Sequence, residues 1–190
     1  MDSLLISTGV VALAEMGDKT QLLAFILAAR FKKPIPIILG ILAATIINHG
    51  LAGALGAWIT SIVSPDMLRW ILGTSFIGMA IWTLVPDKIE EEETQVAKHL
   101  GVFGATFITF FLAEMGDKTQ LATIALAAHY AAPIAVIVGT TLGMMIADVP
   151  AVFVGNKFAA KIPMKLVHSI AAAIFAIMGI LTLLEVDKLF

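Results

Sequence analysis

The ten residues Leu-Ala-Glu-Met-Gly-Asp-Lys-Thr-Gln-Leu occur twice, at Leu13–Leu22 and at Leu112–Leu121. A ten-residue identity does not arise by chance, so the chain consists of two related halves. The offset, 112 − 13 = 99, also carries Pro34 to Pro133, Gly40 to Gly139, Gly56 to Gly155, His49 to Asp148 and Arg69 to His168. Whatever one half folds into, the other must fold into as well. Each copy also sets a Glu, an Asp and a Lys inside an otherwise apolar segment.

Only 14% of the 190 residues are charged and 59% are hydrophobic, where a soluble domain carries about 25% charged residues. Six apolar segments, 4–29, 35–61, 67–85, 100–129, 133–155 and 166–185, match the length of about 20 residues that a bilayer-crossing helix needs. The Met-Asp-Ser start has no basic region before the first segment, so that segment is expected to stay as a span, not to be cleaved as a signal peptide. With three spans per half, the second half must enter the membrane from the side opposite to the first. The expected fold is therefore an all-α integral membrane protein, with six transmembrane helices as two inverted three-helix repeats. Such repeats are typical of transporters that bind substrate near the midplane. Residues 1–86 form the first repeat, 87–99 an acidic cytoplasmic linker and 100–190 the second repeat, together one membrane domain. A net charge of −2 gives no reason to expect nucleic acid, and the absence of Cys excludes disulfides and thiolate metal sites.

Lys and Arg set the orientation. Arg30, Lys32 and Lys33 follow the first span, Lys88 and Lys98 lie in the linker, and Lys157, Lys161 and Lys165 follow the fifth span. The other side holds Arg69 and Lys188. Eight against two places the linker and both basic loops in the cytoplasm, and both termini outside it.

Glu15 lies about 11 residues into its span, ~17 Å at ~1.5 Å per residue, near the centre of a ~30 Å hydrocarbon core. Glu114 has the equivalent depth. Ionisable residues there are costly and mark function by default. On an unbroken helix Glu15 and Asp18 share a face, and Lys19 is placed to pair with Glu15. Gly17 and Gly116 permit a local unwinding instead, which would free backbone carbonyls as cation ligands. Pairing the inverted copies gathers Glu15, Asp18, Glu114 and Asp117 around one midplane point.

Four carboxylates cannot all stay ionised together in a low dielectric. They hold a cation or take up protons, and the two compete for the same oxygens. Lys19 and Lys118 offset part of the charge. Oxygen ligands suit Mg²⁺, Ca²⁺ or Mn²⁺, whereas Zn²⁺ and Cu favour His or Cys. Thioethers at Met16 and Met115 would tilt the preference toward Mn²⁺, yet Met16 points about 100° away from Glu15 on a regular helix. The plainer alternative is that acids and lysines are helix glue. Packing alone does not require the same triplet in both halves.

Asn48 and His49 fall in the middle of the second span and Asp148 in the middle of the fifth. Asp148 is the expected proton carrier or site neighbour, and His49 is its repeat equivalent. Thr20, Gln21, Thr119 and Gln120 offer oxygens to an ion, or hydrogen bonds between helices.

The motif Glu-x-Gly-Asp-Lys-Thr, twice, in two three-span halves joined by an acidic linker, resembles the GDT family of cation/proton exchangers. The resemblance covers essentially the whole chain. It implies Mn²⁺ or Ca²⁺ transport in exchange for H⁺, with Glu15, Asp18, Glu114 and Asp117 as the motif acids. Lys19, Thr20, Lys118 and Thr119 complete each copy. A compact chain of this kind looks like the bacterial manganese-exporting branch. Having no long N-terminal targeting extension, it is expected in a prokaryotic inner (plasma) membrane.

The expected activity is secondary export of Mn²⁺ coupled to inward H⁺ movement, with a Ca²⁺/H⁺ exchanger as the alternative. Rivals are an exporter of amino acids or other small solutes, with Lys19 and Lys118 gripping a carboxylate, and an intramembrane enzyme using paired acids. Against an enzyme, the chain has no Walker loop, Gly-rich dinucleotide motif, nucleophile elbow or His-Glu-x-x-His. The expected partners are a divalent metal ion, protons and membrane lipid, without nucleic acid or cofactor. A homo-oligomer is left open.

Overall fold

A computed structural model describes residues 1–85, 100–154 and 164–184. The acidic linker 87–99, with Lys157, Lys161 and Lys188, lies outside the described residues. Those described form eight helices and no strands: α1 (Asp2–Glu15), α2 (Lys19–Phe31), α3 (Pro34–Ile62), α4 (Pro65–Thr83), α5 (Val102–Glu114), α6 (Lys118–Tyr130), α7 (Pro133–Val154) and α8 (Met164–Leu183). Three stretches, Pro34–Ile62, Pro133–Phe153 and Lys165–Leu183, are long and apolar enough to cross a membrane.

The first and fourth apolar segments are each two helices, not one. α1 stops at Glu15 and α2 starts at Lys19; α5 stops at Glu114 and α6 starts at Lys118. The cause is Gly17, at φ 79°, and Gly116, at φ 76°, a left-handed conformation that a right-handed helix cannot run through and a side chain resists. Each half-helix has 13 or 14 residues, ~20 Å at ~1.5 Å per residue. None alone crosses a ~30 Å core. The break corrects two expectations. Glu15 and Asp18 do not share a helix face, and Lys19 is not one helical turn from Glu15.

The backbone follows the 99-residue offset closely. α2 and α6 both end on a left-handed residue, Lys32 at φ 51° and Ala131 at φ 48°. Pro34 and Pro133 then start α3 and α7, where proline's missing N–H costs nothing. Packing repeats too. α1 lies chiefly on α7, and its equivalent α5 on α3; α4 lies on α8. At the α3–α5 crossing a Cβ on Gly40 would stand 2.9 Å from the Phe103 carbonyl oxygen and 2.8 Å from Thr106 Cβ. At the α7–α1 crossing a Cβ on Gly139 would stand 2.6 Å from the Leu4 carbonyl oxygen and 3.0 Å from Ser7 Cβ. Leu4 and Ser7 are Phe103 and Thr106 less 99. Both crossings require glycine, for the same reason.

Burial runs inside out compared with a soluble helix. On α3, Leu39, Ile46, Ile47, Leu51 and Trp58 face outward, while Thr45, Asn48 and His49 are buried. This is the pattern of a bundle whose solvent is lipid and whose polar groups turn inward. Two apolar clusters flank the polar centre. Phe76, Leu126 and Phe175 join α4, α6 and α8; Leu23, Ile37, Ile41 and Phe110 join α2, α3 and α5.

Candidate cation site at the helix breaks

The two breaks bring the repeated motifs together. Carboxylate oxygens of Glu15, Glu114 and Asp117 all lie within 4.8 Å of one another, and all three residues are buried. Each glutamate ends a half-helix, and each aspartate precedes the next. Asp18 and Asp117 sit at the N-termini of α2 and α6, where the helix dipole favours negative charge.

The lysines reach across the halves. Lys118 Nζ lies 2.9 Å from Asp18 Oδ1, with both side chains buried, and Lys19 Nζ lies 3.6 Å from Asp117 Oδ1. The fourth expected acid, Asp18, therefore lies outside the three-carboxylate cluster, engaged by Lys118. Lys19 pairs with the other copy, not with Glu15, because the break turns it away from α1.

The two glutamates are held very differently. Thr20 Oγ1 donates to Glu15 Oε2 at 2.6 Å, and Thr119 Oγ1 donates to Glu15 Oε1 from the other copy. Among the described residues neither oxygen of Glu114 has a hydrogen-bond partner. A buried acid without donors is costly, and a cation or a proton would satisfy it.

The glutamines serve the turns. Gln21 Oε1 accepts from the Gly17 N–H at 2.9 Å, and Gln120 Oε1 from the Gly116 N–H at 2.8 Å. Gln21 Nε2 also donates to the Ala147 carbonyl at 2.9 Å, tying α2 to α7. Asn48 Nδ2 donates to the Phe111 carbonyl at 3.2 Å. Asp148 is fully buried, neither of its oxygens has a hydrogen-bond partner among the described residues, and it interacts electrostatically with Glu15 and Glu114. His49 is buried, and among the described residues neither ring nitrogen has a hydrogen-bond partner. Sequence reasoning missed His168, whose Nε2 donates to the Met16 carbonyl at 2.6 Å. Its one signal was the pairing of position 168 with Arg69.

Paired helix breaks with acids gathered at them, in a bundle with an apolar exterior, are features typical of secondary ion transporters. The chain belongs to the GDT1 family of divalent cation/proton antiporters, whose pattern it matches over residues 3–91 and 102–189. It is a transporter, not an enzyme. It is 51% identical over 183 residues to the "Putative manganese exporter" of Vibrio cholerae serotype O1, covering 96% of this chain and 90% of that one. It is 30% identical to GDT1-like protein 3 of Oryza sativa subsp. indica, over 92% of this chain and 71% of the rice protein. It is 28% identical to GDT1-like protein 5 of Arabidopsis thaliana, over 94% and 93%. No solved structure matches the chain.

Proposed function

We propose that this protein exports Mn²⁺ from the cytoplasm in exchange for protons entering the cell. The observation that carries the reading is the cluster of Glu15, Glu114 and Asp117, drawn from both motif copies within 4.8 Å. Three carboxylates that close, away from water, are tolerable with a divalent cation among them or with protons taken up. One set of oxygens thus serves two ions by turns. The oxygen chemistry suits a hard divalent ion, and the relative from Vibrio cholerae supports manganese.

In this reading Glu15, Glu114 and Asp117 are ligands, and Asp18 joins them when Lys118 releases it. Lys19 and Lys118 neutralise the aspartates while the site is empty. Asp148 carries the coupled proton, with Asn48 and His49 beside the path. Thr20, Gln21, Thr119 and Gln120 shape the breaks. Residues 1–86 and 100–190 are two inverted repeats of three spans in one membrane domain. Each pair of half-helices counts as one span. The protein sits in the inner (plasma) membrane with both termini outside and the 87–99 linker in the cytoplasm.

Proteoliposomes containing the full chain and a pH-sensitive dye test the function. Mn²⁺ added on one side crosses to the other and draws protons back toward the side of addition, and Ca²⁺ does so more weakly. Absence of proton flux with both ions refutes the exchanger. Stronger flux with Ca²⁺ replaces manganese as the cargo.

A further inference from the structure

The hydroxyls of Thr20 and Thr119 carry an asymmetry that the sequence does not have. The offset exchanges Thr20 with Thr119 and Glu15 with Glu114. The Thr20–Glu15 bond, within one copy, therefore has its counterpart in Thr119–Glu114. The Thr119–Glu15 bond, between copies, has its counterpart in Thr20–Glu114. The structure contains the first bond of each pair and neither counterpart: both hydroxyls donate to Glu15, and Glu114 has no donor among the described residues.

The surroundings of the two copies differ as well. Met16 is half-buried and its carbonyl accepts from His168, whereas Met115 is 57% exposed. The Lys118–Asp18 pair is short and buried; the Lys19–Asp117 pair is longer, with Lys19 17% exposed. At its Met the first copy is the closed one and the second the open one, while of the two lysines Lys19 of the first copy is the more exposed. The two motif copies are identical over ten residues, so in the exchanged arrangement the equivalent motif residues can make the equivalent bonds.

We propose that Thr20 and Thr119 form a two-hydroxyl clamp that holds Glu15 in this state and Glu114 in the opposite one. The inference rests on the inverted-repeat reading above. The threonines are positioning residues: they do not ligate the cation but decide which glutamate faces it. The held glutamate belongs to the closed copy, and the released one meets the cation from the open side. Passing the clamp from one glutamate to the other accompanies the change of the open face.

Two measurements on the full chain in proteoliposomes test this. In the first, Thr20→Val and Thr119→Val each lower the maximal rate of Mn²⁺-driven proton flux about tenfold, the worth of one lost hydrogen bond to a charged group. The KM for Mn²⁺ changes by less than about twofold, and Thr→Ser at either position restores the rate. A raised KM with an unchanged maximal rate makes the hydroxyls cation ligands and overturns the clamp, as does an unchanged rate.

The second uses the chain's lack of cysteine. Met16→Cys and Met115→Cys are labelled separately with a membrane-impermeant maleimide, applied from either face. Position 115 labels faster in the parent. Adding Glu15→Gln removes the stronger acceptor from the first copy, so the clamp passes to Glu114 and position 16 becomes the faster. Labelling from opposite faces with no such reversal overturns the clamp alone. Labelling of both positions from one face overturns the inverted arrangement, and the clamp with it.

Discussion

The two copies of Leu-Ala-Glu-Met-Gly-Asp-Lys-Thr-Gln-Leu have one sequence and two environments. Their backbones agree: both break after Glu, both pass through a left-handed Gly, and both restart at Lys. Their side chains do not. Glu15 has two hydroxyl donors and Glu114 none among the described residues; Lys118 is 3% exposed and Lys19 17%. Local sequence thus sets the break, and the neighbours set what the break does. Those neighbours differ between the halves: Asp148 stands where the first half has His49, His168 where it has Arg69, and Ala147 where it has Asn48.

The largest expected effect tests whether the difference between the glutamates is functional or only momentary. If each takes a turn at the cation, Glu15→Gln and Glu114→Gln are equally damaging despite their unlike partners. Each lowers Mn²⁺-driven proton flux at least about hundredfold, two charge-assisted interactions' worth, with unchanged membrane yield of folded protein. An effect on one glutamate alone would make the asymmetry permanent.

Next is the pair of lysines. Removing one partner of a buried ion pair leaves the other charge stranded, at about 3–5 kcal/mol, and Lys118→Met has this consequence for Asp18. Lys19→Met acts on a longer pair whose lysine is partly exposed, and it costs less than Lys118→Met. Thermal unfolding of the full chain in detergent compares them. Asp18→Asn added to Lys118→Met recovers most of the loss. Equal costs for the two lysines would show that the lengths of the two pairs carry no energetic meaning.

Much of this was readable beforehand, and the unreadable part has a physical reason. The apolar segments and the buried acids follow from hydropathy alone. The unwinding at Gly17 was foreseeable because a glycine between two acids is the cheapest place to stop a helix. The meeting of Glu15 with Glu114 and Asp117 followed from the offset. The partner of Lys19 did not. Helical spacing pointed to Glu15, but a break of three residues re-aims everything after it, and Lys19 meets Asp117 instead. Asp18 left the cluster for a similar reason, since Lys118 arrives from a segment 100 residues away. The asymmetry itself cannot be written in two identical blocks. It arises only when unlike neighbours pack around them.

A smaller effect separates Asp148 from His49. Both are buried at equivalent places, but Asp148 interacts electrostatically with Glu15 and Glu114. Asp148→Asn keeps the shape and removes the acid, so proton flux falls about tenfold, in the range of a lost proton-transfer group or less. His49→Asn changes flux by less than about threefold, as for a residue that lines the path. A loss at His49 as large as at Asp148 would move proton coupling to both halves.

The smallest effect tests the part of the comparison in which the copies agree. Gly17 and Gly116 hold nearly the same left-handed φ, 79° and 76°, so each break asks the same of its backbone. A Cβ at Gly116 would meet nothing within 4 Å, which leaves conformation as the only penalty there, about 1–2 kcal/mol for an L-residue in this region. Gly116→Ala therefore lowers thermal stability modestly, and Gly116→Asn lowers it less, because Asn tolerates left-handed φ. Gly17→Ala should match Gly116→Ala. A much larger loss at Gly17 would mean that the closed copy adds a packing cost to the conformational one, extending the asymmetry from the side chains to the backbone itself.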